Sequence, residues 1–162
     1  MKSCIPEKIR GRWSWLLVIG LLLPALLSTA FATLGAARDS VQDDQFHLQA
    51  KIRVTAAQGY SIHELTAPTG TVVREYVSPN GYVFGVGWQG PFVPNMQILL
   101  GAYFEQYARQ VKSQRERYVG HLPLNIQEPT LVVQTAGHMR AYFGRAYVPG
   151  LLPAGVSAHD IQ

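Results

Sequence analysis

Hydrophobic and polar residues alternate in several short runs of this chain, and in one longer run they recur at helical spacing. The segments "YSIHELTAP" (60–68), "TVVREYV" (71–77), "YVFGVGW" (82–88), "TLVVQ" (130–134) and "MRAYFGRAYV" (139–148) are short and bounded by turn formers. They are rich in β-branched and aromatic residues, so each is expected as a strand. "FHLQAKIRV" (46–54) also alternates and suits either a strand or two turns of helix. Between the strand groups lies "NMQILLGAYFEQYARQVKSQ" (95–114), introduced by Pro91 and Pro94 with Asn95 as its cap. Met96, Leu100, Tyr103, Phe104, Tyr107 and Val111 form an apolar stripe there, opposite Gln97, Glu105, Arg109, Lys112 and Ser113. Gly101 inside that helix costs roughly 1 kcal/mol relative to alanine, which marks either a close contact or a bend. Strands, one helix and more strands predict an α+β fold, an antiparallel sheet of about five strands with one amphipathic helix packed on it.

Turn chemistry sharpens one hairpin. In "SPNG" (78–81), Pro79 presets the first turn residue and Gly81 can take φ > 0, which suits a type I turn closed by a glycine bulge. That turn puts Tyr76 opposite Phe84 and Val72 opposite Trp88, with Glu75 facing Gly85 and Val73 facing Gly87. Phe84, Val86 and Trp88 then share one face, and Gly85 and Gly87 leave the other bare. Gly85, Gly87 and Gly90 have the G-x-G-x-x-G spacing of a dinucleotide-binding turn. They lie inside a strand, however, and Gly90 runs into "PFVP" instead of opening a helix. The glycines are therefore not a phosphate cradle. The bare face is expected to accept close packing from the helix, the alternative being a groove for a ligand or a partner's chain.

The N-terminus changes where this fold is expected to work. Lys2, Lys8, Arg10 and Arg12 precede the uncharged apolar run Trp13 to Leu27, and "STAFA" follows with Ala30 and Ala32 in an A-x-A ending. These are the three parts of a secretory signal. The apolar run is shorter than the roughly 20 residues needed to span a bilayer, so cleavage between Ala32 and Thr33 is expected, and contact with the membrane only before it. Residues 1–32 form this leader, 33–45 a polar, flexible lead-in, and 46–162 a single small domain. Localisation is expected to be periplasmic or secreted. The full chain has a net charge of +4, but the leader holds four of the 14 basic and one of the 10 acidic residues, leaving +1. A nucleic-acid binder would show a basic excess, so no nucleic-acid partner is expected. Cys4 is the sole cysteine and lies in the leader, so the exported chain must hold together through its core alone.

The search for chemistry is mostly negative. His47, His63, His121, His138 and His159 have no metal-ligand spacing, "HEL" at 63–65 lacks a second histidine, and no G-x-S-x-G elbow occurs. No metal and no cofactor are expected. Polar and aromatic residues near turns and sheet ends single out Glu75, Trp88, His138, Arg140, Tyr142 and Arg145 as candidate binding residues. Tyrosine and arginine are enriched at binding surfaces, and such a surface would meet another envelope protein, a polysaccharide or an anionic lipid head. The expectation is a non-catalytic binding or accessory module. Its alternative is a small hydrolase or transferase built from Glu75, His138 and Arg140.

"GTVVREYVSPNGYVFGVGWQGP", "LLGAYF", "GHMRAYFGRAYVPGLLPAGVS" and the terminal "DI" resemble an uncharacterised family of small exported Gram-negative proteins, a domain of unknown function. The resemblance covers nearly all of the chain after the leader. It implies export, one small domain, and neither an assigned activity nor catalytic residues. The family strand tends to have alanine where Gly85 stands, so the resemblance does not require a bare groove there.

Overall fold

The computed structural model describes residues 34–117 and 123–162. The leader and its expected cleavage site at Ala32 and Thr33 lie outside them. Two antiparallel meanders meet edge to edge. The first comprises β1 (Lys51–Ala57), β2 (Tyr60–Thr66), β3 (Val72–Val77) and β4 (Val83–Gly90). The second comprises β5 (Asn125–Glu128), β6 (Leu131–His138) and β7 (Ala141–Tyr147), and β7 pairs with β4. The sheet thus has seven strands in the order β1-β2-β3-β4-β7-β6-β5, not five. The two unforeseen strands are the edges. β1 takes residues 51–54 of the segment whose period was ambiguous, while 46–47 end α1, and β5 carries one buried apolar residue, Ile126, in four.

Helices cover one face of this sheet. Residues 38–45, expected as a flexible lead-in, contribute to α1 (Ser40–His47), with Val41 and Asp44 buried. The helix expected over 95–114 is broken in two, α2 (Met96–Leu100) and α3 (Phe104–Arg117), joined by a 3-10 turn at Gly101–Tyr103. Asn95 caps α2 as expected, its side chain accepting from the Gln97 and Ile98 N–H groups at 3.0 and 3.3 Å. Gly101 has φ 42° and ψ −114°, so the glycine marks a bend that lets α3 leave the α2 direction. Replacing Gly101 with alanine places a Cβ in a region L-residues avoid and should cost about 1–3 kcal/mol, read as a lower urea midpoint with an unchanged slope. The main core lies between the helices and this face and includes Leu65, Val73, Val86, Trp88, Leu99, Leu100, Val133 and Ala146.

The opposite face is covered by the C-terminal segment, not by a helix. There Tyr76, Phe84 and Ile161 form a second, smaller core with Tyr60, Ile62, Tyr147 and Val156 around it. The bare glycines are its seat. A Cβ on Gly85 would lie 2.7 Å from Ile161 Cδ1, and one on Gly87 would overlap the Gln162 carbonyl. The Tyr76 hydroxyl lies 2.9 Å from both the Gln162 N–H and its carbonyl oxygen. Arg145 donates to the Ala158 and Ile161 carbonyls. The expectation that the helix packs against the glycines is therefore corrected: the chain's own tail does so.

The hairpin register explains how the faces came to be exchanged. The turn forms as expected, with Gly81 at φ 82°, but Phe84 is an extra residue between the pairs Val77–Val83 and Tyr76–Gly85. Every later pair is displaced by one, giving Glu75–Val86 and Val73–Trp88. A one-residue slip exchanges the faces of one strand relative to its neighbour. Glu75 therefore lies on the helix side with Val86 and Trp88, and Tyr76 lies with the glycines.

Candidate functional site

Two places in this architecture hold the candidate residues. The first is sealed. Glu75 on β3 is 1% exposed, and Asp44 of α1, fully buried, sits over it. The two carboxyls are within hydrogen-bonding range of each other. Neither accepts a bond from any donor among the described residues. Two acceptors in contact need a proton between them, because a buried carboxylate without a partner is costly. Burial raises the pKa of Asp44, and the bond to Glu75, its charge and that of Asp43 raise it further. Burial also raises Glu75, while the bond from Asp44 lowers it. Both carboxyls are thus raised, and the pair holds a proton well above the ordinary carboxylate range.

His63 stands directly across from Glu75 on β2 and is buried. Its imidazole is pushed below the ordinary range by burial first and the Arg38 guanidinium second. Its Nε2 is 3.2 Å from Ser61 Oγ. Serine, histidine and acid thus lie on one sheet face, yet Glu75 makes no bond to the imidazole. The histidine lacks the orienting bond that a nucleophile–base–acid relay requires. "HEL" contributed His63 to this cluster, and nothing in the sequence pointed to Asp44.

The second place is open. A groove of about 600 Å³ runs between α3 and the far ends of β6 and β7. Trp88 forms its floor, nearly fully buried, and is seated against the backbone of Gly144, where a Cβ would come within 2.7 Å of the indole. Tyr107 and Val111 of α3 make one wall, and Tyr142 of β7 the other. Met139 is 82% exposed at the rim, and Val93 is also exposed there. Burial raises the Tyr107 phenol, and Arg115, two turns along the same helix, pulls it back. Of the sequence candidates, the groove brings together Trp88, His138 and Tyr142.

The remaining candidates are elsewhere. Arg145 is half-buried on the other face, holding the tail and bonded to Gln134 at 2.8 Å. Arg140 is exposed in the β6–β7 turn at φ 66°. Glu75 is three strands away from His138 and five residues offset along β6, roughly 20 Å by strand spacing and rise. Glu75, His138 and Arg140 are therefore not brought into one pocket. Among the described residues no three acidic, histidine or cysteine side chains form a metal-binding group, and no helix is long and apolar enough to cross a membrane.

No curated protein and no solved structure shows a significant match to this chain. A family model does match, over residues 30–161, and its description is "Protein of unknown function (DUF2844)". The matched span takes in both meanders, the helices between them and the tail up to Ile161, so the chain belongs to this family of unknown function.

Proposed function

We propose that this protein is a non-catalytic binding or accessory module of the cell envelope, exported by its leader and working through the groove beside α3. The observation that carries the reading is a contrast between the two sites. The groove is open, with an aromatic floor and apolar walls, as small-molecule sites are. The acid and base side chains of the Asp44–Glu75–His63 cluster are buried beneath α1, where no substrate reaches them.

The basic head, apolar run and A-x-A ending support export. N-terminal sequencing of protein recovered from a periplasmic or culture fraction should begin at Thr33. Recovery with Met1 intact from the cytoplasm would overturn the export reading. The hydrolase or transferase alternative keeps one contact in its favour, Ser61 to His63. If it held, Ser61→Ala would abolish turnover of activated esters, whereas a binding module turns over none and is unaffected.

A further inference from the structure

We infer that the groove receives a single-chain amphiphile with an anionic head, its chain lying along Trp88 and Tyr142 and its head at Arg115 beside the Tyr107 hydroxyl. This rests on the binding-module reading and names the ligand class for the same site.

Three observations carry it. Most of the wall residues are apolar or aromatic, and Met139 and Val93 remain exposed at the rim, a surface that an acyl chain would cover. The thioether of Met139 adapts to irregular apolar shapes. Charge is the second observation. The residues lining the groove include Arg115 and His138 and no carboxylate. Among the described residues the one ion pair is Arg74–Glu64, on the opposite face of the sheet, so Arg115 carries an uncompensated charge at the groove. Arg115 and Tyr107 both line the groove, so a guanidinium and a phenol hydroxyl are available there as donors for a carboxylate or phosphate oxygen. Third, Arg115 is the one permanently charged side chain of the lining. The other polar groups are His138, Gln114, Thr135 and the Tyr107 and Tyr142 hydroxyls, all neutral or weakly basic. The volume lies within the roughly 300–1,000 Å³ typical of small-molecule sites.

Trp88 supplies the test. The chain has three tryptophans, and the other two, Trp13 and Trp15, are in the leader. In the full chain with Trp13→Phe and Trp15→Phe, fluorescence reports on the groove floor alone. Titration with 12-bromododecanoate below its micellar range should quench Trp88, because a bromine must approach the indole closely. Dodecanoate and dodecyl phosphate should displace it, and the stronger competitor tells a carboxylate from a phosphate source. Dodecyl maltoside and dodecyltrimethylammonium should compete at least about tenfold more weakly, the size of one charge-assisted hydrogen bond. Arg115→Gln should remove that preference while leaving maltoside competition and the melting temperature unchanged. If every head group competes equally, or Arg115→Gln changes nothing, the anionic-head inference is overturned and groove binding stands. If no amphiphile quenches or competes, both the inference and this groove as the binding site are lost.

Discussion

Stability should fall by about 3 kcal/mol or more between pH 5 and pH 9, and Glu75→Gln should remove part of that fall. The cause is the carboxyl pair beneath α1. Glu75 is raised from 4.5 to about 7 in the folded chain. A group with a raised folded pKa binds more protons folded than unfolded, so its contribution is complete below the unfolded value. That contribution is lost as pH rises through the folded one. Each unit is worth about 1.4 kcal/mol, which gives about 3 kcal/mol from Glu75 alone. Asp44, raised further and by burial first, loses its contribution over the same window and on into alkaline solution. His63 acts in the other direction. Its pKa is lowered, so its contribution is present above the unfolded value near 6.5 and lost as pH falls below it. Urea midpoints at pH 5, 7 and 9 measure the balance. Glu75→Gln keeps the side-chain shape and removes one titrating group, so it should be more stable than the parent at pH 9 and no better at pH 5. A parent curve flat from pH 5 to pH 9 would show that the two carboxyls are not in contact under α1.

Ile161→Ala and Gly87→Val should each cost about 2–4 kcal/mol, and the double variant should cost clearly less than the sum. Ile161 is fully buried between Tyr76 and Phe84, and truncating such a side chain to alanine typically costs about 2–5 kcal/mol. A side chain at Gly87 would meet the main chain of Gln162, with the carbonyl carbon at 2.8 Å. Main chain cannot swing aside as a side-chain tip can, so the substitution must lift the tail. Once lifted, the tail no longer buries Ile161, and the second substitution removes little more. Residues that act through one element are non-additive in this way. Fully additive losses would mean that the glycine strand and the tail are independent.

These two predictions concern regions that the sequence described unequally. The strand runs at 60–66, 72–77, 83–88, 131–134 and 141–147 were legible because each pairs locally within a meander and has a strong β composition, whereas 135–138, whose Ala136-Gly137 reads as a turn, continues β6 instead. The edges were not. β1 is exposed along most of its length, so its pattern lacks the buried stripe that separates a strand from a helix. In α1, Val41 is the buried apolar residue and Phe46 is 80% exposed. Its helical pattern is therefore weak, and its position is set by what lies under it. The binding candidates divide similarly: aromatic residues at sheet ends marked the groove, but no local signal shows that Arg145 would be used to tie down the tail.

The amino-acid order by itself determined the α+β class, the turn at Gly81, the Asn95 cap and the glycine strand with one face bare, because these follow from interactions among near neighbours. Tertiary structure decided the rest, and one added residue at Phe84 decided most of it. By shifting β3 against β4 it turned Glu75 inward beneath Asp44 and Tyr76 outward to the tail. A register is settled by the packing of both faces at once, and those faces are filled by α1 and by Ile161, which lie far from the hairpin in the chain.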